Sequence, residues 1–160
     1  MDDIITTSKV YVQTDEQGRI IRCEGGFTTP ADLTGWTQID EGVGDRFNLA
    51  QSQYFPDGLY TDDGILRYKL VDGAPVDRTP EELEADRVPL RAAEARRKRD
   101  KLLAETDWTQ TLDAPVTQEA KIALRAYRQE LRDLPEKEGW PASVAWPEIP
   151  KIIKGVPDGT

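Results

Sequence analysis

The spacing of apolar residues changes once along this chain, at Thr79-Pro80, and that change limits what each half can become. Upstream, apolar positions alternate with polar ones between glycine turns, the period of half-buried strands. "SKVYVQTDEQGRIIRCEGG" predicts a β-hairpin: Val10 and Val12 lead in, Gly18 supplies a positive-φ turn position, and Ile20 to Cys23 return. "GILRYKLVDGAPVDR" predicts a second, with Leu66, Tyr68 and Leu70 alternating with Arg67 and Lys69 ahead of the Asp72-Gly73 turn. Pro75 has no amide hydrogen, so the return strand is short or lies at an edge. The stretch between them is rich in Gly, Asp and aromatics, which predicts short strands or ordered loops packed around Trp36, Phe47, Tyr54 and Phe55.

Downstream the period becomes helical. Thr79, Pro80 and Glu82 form a capping box with proline at the first helical position. Pro89 predicts a kink, or a break with a fresh start, because it removes one helical hydrogen bond and crowds the preceding turn. Residues 92 to 100 are strong helix formers whose only apolar surface is alanine, so this helix projects from the body or packs narrowly against another chain. Asp113, Pro115 and Thr117 read as a stop and restart, with Thr117 as N-cap and Glu119 at the positive end of the dipole. In the second helix Leu124, Tyr127, Leu131 and Leu134 recur at helical spacing, Ala120 and Ala123 extend their face, and Lys121, Arg125, Arg128 and Arg132 are assigned elsewhere. Leu102, Leu103 and Trp108 are the nearest cover for that stripe. Past Pro135, "EKEGWPASVAWPEIPKIIKGVPDGT" favours an extended tail laid across a surface, since residues before proline avoid the helical region. The expected fold is α+β, with a β-rich domain of hairpins at 1-78, a helical hairpin at 79-135 and an extended Pro/Trp-rich tail at 136-160.

The chain has no histidine, which removes His-based acid-base catalysis, His triads and His metal sites. Cys23 stands alone, without a disulfide partner or a histidine to activate it, and fits a reducing compartment. The acid pairs Asp2-Asp3 and Asp62-Asp63 could in principle hold Mg²⁺ or run glycoside hydrolysis, but 30 acids generate such neighbours by chance, and Asp62-Asp63-Gly64 has turn composition. Neither a P-loop nor a dinucleotide fingerprint occurs. The expectation is a non-enzyme without cofactor or metal.

A net charge of -9 argues against nucleic acid as a partner. The local run "RAAEARRKRDK" is basic, and a solvated helix face accounts for it. The acidic start "MDDIITTSKVYV" lacks a secretory n-region, and no apolar run approaches the ~20 residues that span a bilayer, so no membrane association is expected. Apolar residues make up only 38% and charged residues 32%, against about 45–50% and 25% in ordinary domains, so much of the chain faces water or another protein. Tyr54, Phe55 and Tyr60 could stack on sugars as in a glycan-binding adhesin, although packing of a small core explains them more simply.

One stretch carries a more specific signal. "RDKLLAETDWTQTLDAPVTQEAKIALRAYRQELRDLP" followed by "GWPASVAWPEIP" resembles the phage tail assembly chaperone family, a module of tail fibre assembly proteins. The resemblance rests on Arg99-Asp100, Leu102-Leu103, Thr106 to Thr109, Pro115, Tyr127-Arg128, Leu131 to Asp133 and Trp146-Pro147, and covers about residues 96-150. It implies an accessory protein that binds a phage tail fibre protein and assists its folding or trimerisation in the host cytoplasm. The alternative is a structural virion protein that stays bound to the fibre or baseplate in the virion tail. Partner contacts are expected at Trp108, Tyr127, Leu131, Trp140 and Trp146, since interface anchors are enriched in aromatics, with core packing favoured for Trp108 itself. A homo-oligomer is compatible with such a surface.

Overall fold

The computed structural model describes residues 6–150. The Asp2-Asp3 pair and the last ten positions of the predicted tail therefore lie outside the described residues. Contacts divide the chain between Asp86 and Arg87 into two compact units.

In the first unit, strands β1 (Ser8–Thr14), β2 (Ile20–Gly25) and β3 (Thr37–Gly42) form an antiparallel sheet in the order β2-β1-β3. The predicted hairpin is present: Val12 lies opposite Cys23, and Val10 opposite Gly25. Its turn closes through Asp15, whose Oδ1 accepts from the amides of Gln17 and Arg19, while Gly18 takes φ 77°. β1 is the central strand, so Val10 and Val12 are fully buried, with Ile20, Cys23, Ala50, Tyr54 and Phe55 completing the core. Burial pushes the Cys23 thiol up to about 12, with the Glu24 charge adding to the effect, so the thiol stays protonated and inert.

The aromatic stretch between the hairpins contains β3 and two single-turn helices, α1 (Asp45–Asn48) and α2 (Ala50–Gln53). The helices escaped the sequence reading because four residues are too few to show a period. Gly42 lets α1 approach: a Cβ there would meet the Phe47 ring at 2.5 Å. Trp36 does not join the core. It is half-buried, with the Arg22 guanidinium 5.1 Å from its ring centroid.

Strands β4 (Tyr68–Val71) and β5 (Ala74–Asp77) form the second predicted hairpin. Asp72 and Gly73 both have positive φ, as a two-residue type I′ turn requires, and Pro75 falls on a strand that has only one neighbour.

Helix α3 (Pro80–Glu105) opens with the predicted capping box: the Thr79 amide donates to Glu82 Oε2 at 2.8 Å, and the Glu82 amide to Thr79 Oγ1 at 3.2 Å. Its first turns are clamped to the hairpins through Arg78, which is buried and donates to Leu66 O, Glu82 O and Asp86 Oδ2. Arg19 approaches the same Asp86 oxygen at 3.0 Å. The fresh start expected at Pro89 does not occur, and α3 runs through it as one element. The loss of about 3 kcal/mol that an interior proline brings is local. It is outweighed by the clamped turns before it and the strong helix formers after it.

The hydrogen bond from Arg78, against a smaller desolvation effect, holds the Asp86 carboxyl below its usual value, and the charges of Arg78 and Arg19 act in the same direction. A depressed folded-state value stabilises above the unfolded pKa of about 4, and the contribution is lost as pH falls through the folded value. Asp86→Asn is therefore expected to lower stability at neutral pH and to flatten the loss of stability on acidification below about pH 4. Chemical denaturation of the two proteins across that range measures it. Parallel pH profiles would remove Asp86 from the clamp.

In the second unit, α3 continues to Glu105, a 3-10 turn spans Asp107–Gln110, and helix α4 covers Gln118–Asp133. Thr117 caps α4 as expected, its Oγ1 accepting from the Ala120 amide at 3.2 Å. The apolar stripe of α4 is buried: Leu124, Tyr127, Leu131 and Leu134 turn inward, and Leu102 and Leu103 pack against the last three. After a short 3-10 turn at Leu134–Glu136 and a run of turns, residues 144–150 carry no regular secondary structure. Trp140, Val144, Trp146 and Ile149 lie half-buried against the Tyr127–Leu134 cluster, whereas residues 137–143 form bends and turns where an extended tail was expected.

Candidate partner-binding surface

The connector between α3 and α4 begins where α3 runs out of intrahelical donors for its last carbonyls. The carbonyl of Leu103 is satisfied three times over. It accepts from the Thr106 amide at 3.1 Å, from Thr106 Oγ1 at 3.0 Å and from Arg128 Nη1 at 2.6 Å. Arg128 Nη1 also reaches Thr106 Oγ1 at 2.7 Å, and Nη2 reaches Asp107 Oδ1 at 2.7 Å. A guanidinium fork on α4 thus closes the C-terminus of α3 and pins the connector, where a cation also meets the negative end of the helix dipole.

This corrects the sequence reading, which assigned Arg128 away from the apolar face. It is only 7% exposed. Its spacing already held the signal: position 128 lies four residues after Leu124 and three before Leu131, within the buried stripe. A charge was assumed to face solvent, and that assumption overrode the period. Among the described residues, Arg128 Nε is a buried side-chain nitrogen without a partner. The unit thus carries one unpaired polar group to gain the other bonds.

The four residues of "TDWT" then divide by direction. Thr106 and Thr109 are buried, and the Thr109 hydroxyl donates to Thr106 O at 2.6 Å. Asp107 gives its carboxylate to Arg128 while remaining largely exposed. Trp108 is left outside, at 43% exposure. Core packing, favoured for Trp108 from sequence, is overturned because the two threonines take the interior positions that the indole was expected to fill. Leu112, four residues on, is fully exposed. It was not singled out from sequence, since a lone leucine in a loop carries no pattern.

The other expected contact residues have different surroundings. Tyr127 and Leu131 are buried and form the floor under the connector and tail. Trp140 and Trp146 are half-buried on the same cluster. The Lys98 ammonium stands 4.4 Å from the Trp146 ring centroid. The structure therefore brings Tyr127, Leu131, Trp140 and Trp146 together in one cluster and leaves Trp108 as the indole with the greatest access to a partner.

In the first unit Tyr54 and Phe55 are buried edge to face with ring centroids 5.1 Å apart, and the Tyr54 hydroxyl donates to Asp40 Oδ2 at 2.8 Å. Their faces are spent on packing, and Tyr60 alone of the three is exposed. Among the described residues, no group of three or more acidic or cysteine side chains is placed to hold a metal ion. No helix among them is long and apolar enough to cross a membrane.

Residues 92–151 match the family model described as phage tail assembly chaperone protein. The matched segment runs from the alanine-rich part of α3 to the end of the described tail, and so takes in the Arg128 fork, Trp108 and the whole second core. No curated protein and no solved structure matches the chain.

Proposed function

We propose that this chain, whose residues 92–151 form a phage tail assembly chaperone module, binds a tail fibre protein in the host cell and assists its folding or trimerisation. The observation that carries the reading is the connector. It carries an exposed indole at Trp108 and, four residues on, an exposed leucine at Leu112, and a buried guanidinium pins the start of this connector at Leu103, Thr106 and Asp107. A surface that must cover a client reversibly gains from being ordered beforehand, since side chains and loops ordered on binding subtract from affinity. Fibre proteins expose strand edges and apolar faces before they assemble, and an exposed Trp with an exposed Leu four residues on is suited to covering such patches.

Co-expression with a phage tail fibre protein tests the reading. The chaperone should raise the soluble, trimeric fraction of the fibre, and Trp108→Ala combined with Leu112→Ser should remove most of that gain while the variant stays folded by circular dichroism. An unchanged yield of trimer with or without the chain would refute the function. Stoichiometric recovery in purified particles would replace it with a structural role in the virion. Wild-type activity of the double variant would move the contact surface elsewhere on the chain.

A further inference from the structure

A second surface lies between α3 and the tail segment whose Val144 and Trp146 pack against the Tyr127–Leu134 cluster. It is a cleft of about 330 Å³ lined by Arg91, Glu94, Ala95, Lys98, Pro141, Ala142, Val144 and Trp146. Its origin is in the sequence. Where α3 lines the cleft its one apolar residue is Ala95, whose methyl group is too short to fill the space beside Trp146. The tail of the same chain, rather than another chain, lies against this face and leaves the cleft open.

The charge around the cleft is uneven. At 100° per residue, positions 91, 94, 95 and 98 share one face of α3, Lys101 and Arg97 flank it on the Glu94 side, and Arg96 points away. Lys98 and Lys101 are exposed, and Lys98 stands over the Trp146 ring. Glu94 is the one carboxylate on the rim. These cations gather in a chain that is otherwise strongly acidic, with a net charge of -9. The geometry points to a docking site for an extended acidic segment of a protein partner, its carboxylates beside Lys98 and Lys101 and one apolar side chain seated between Ala95, Val144 and Trp146.

Three observations favour a peptide over a polyanion such as nucleic acid. The wall is apolar and aromatic, its volume suits a side chain, and the few cations are too sparse to replace the counterions of a phosphate backbone against the charge of the whole molecule. The inference does not depend on the chaperone reading, because it concerns a different surface and its test needs no fibre.

A fluorescently labelled synthetic peptide of Glu-Glu-Leu repeats, titrated into the full-length chain and followed by anisotropy, provides the measurement. Binding is expected to weaken as salt is raised, since the rim charges are screened. Lys101→Glu should weaken it by about tenfold, a typical scale for losing and reversing a favourable charge. Glu94→Gln should strengthen it. Arg96→Glu makes the same change of net charge on the far face and should leave affinity within about twofold, because the docking site rather than the overall field sets it. Ala142→Glu, on the exposed lip, should weaken binding without touching α3.

Equal effects of Lys101→Glu and Arg96→Glu would overturn the site, as would equal binding of a Lys-Lys-Leu peptide. Displacement of the peptide by a single-stranded oligonucleotide at lower concentration would assign the surface to nucleic acid instead. A change confined to self-association, read by light scattering, would assign it to a second copy of this chain.

Discussion

Replacing Arg128 with alanine is expected to destabilise the second unit by about 2–3 kcal/mol, the scale for losing charge-assisted hydrogen bonds at a buried site whose acceptors keep other donors. Leu103 O loses its strongest donor and Thr106 Oγ1 loses another, both in places water reaches poorly. The long aliphatic stem is lost from the interior with them. Asp107→Ala provides the contrast. Its carboxylate is 64% exposed, so removing it is expected to cost no more than about 1 kcal/mol despite the 2.7 Å ion pair. Arg128→Lys should fall between, because an ammonium can reach one acceptor but cannot span Leu103 and Asp107 as the planar fork does. Urea denaturation of the three variants measures the order. Equal losses in Arg128→Ala and Asp107→Ala would mean that the ion pair, rather than the capped carbonyl, holds the connector.

Leu131→Ala is expected to cost about 2–5 kcal/mol, the range for a buried leucine truncated in a packed core. Leu131 is fully buried among Tyr127, Leu134 and the half-buried tail residues, so little can collapse into the space it leaves. Trp108→Ala, by contrast, should change stability by less than about 1 kcal/mol, because the indole is partly exposed and the turn is held by Thr106, Thr109 and Arg128. Thermal denaturation together with fibre rescue separates the two residues. Loss of rescue without loss of stability marks a contact residue. Loss of both marks the core that supports one.

Much of the fold was legible because it rests on local chemistry. The Asp72-Gly73 turn, the Thr79/Glu82 capping box, the Thr117 cap and the Leu124 to Leu134 stripe are each specified by a few neighbouring residues. What escaped depends on residues distant in the chain. Pro89 reads locally as a breaker, and only the Arg78–Asp86 clamp and the helix formers that follow show why α3 continues. Arg128 reads locally as solvated, and only the end of α3, more than twenty positions away, supplies the acceptors that draw it inward. The direction of Trp108 followed from the same omission. Once Thr106 and Thr109 are known to bond inward, a short 3-10 turn leaves the indole outside. The exposure of Trp108 was thus not readable from the local sequence.

The two inward threonines of the connector have a further consequence. The hydrogen bonds described for this turn are made by main-chain atoms or by side chains at positions 106, 107, 109, 110, 111 and 128, and none by the side chains at 108 and 112. Those two places can therefore change in size and polarity with little penalty to the scaffold.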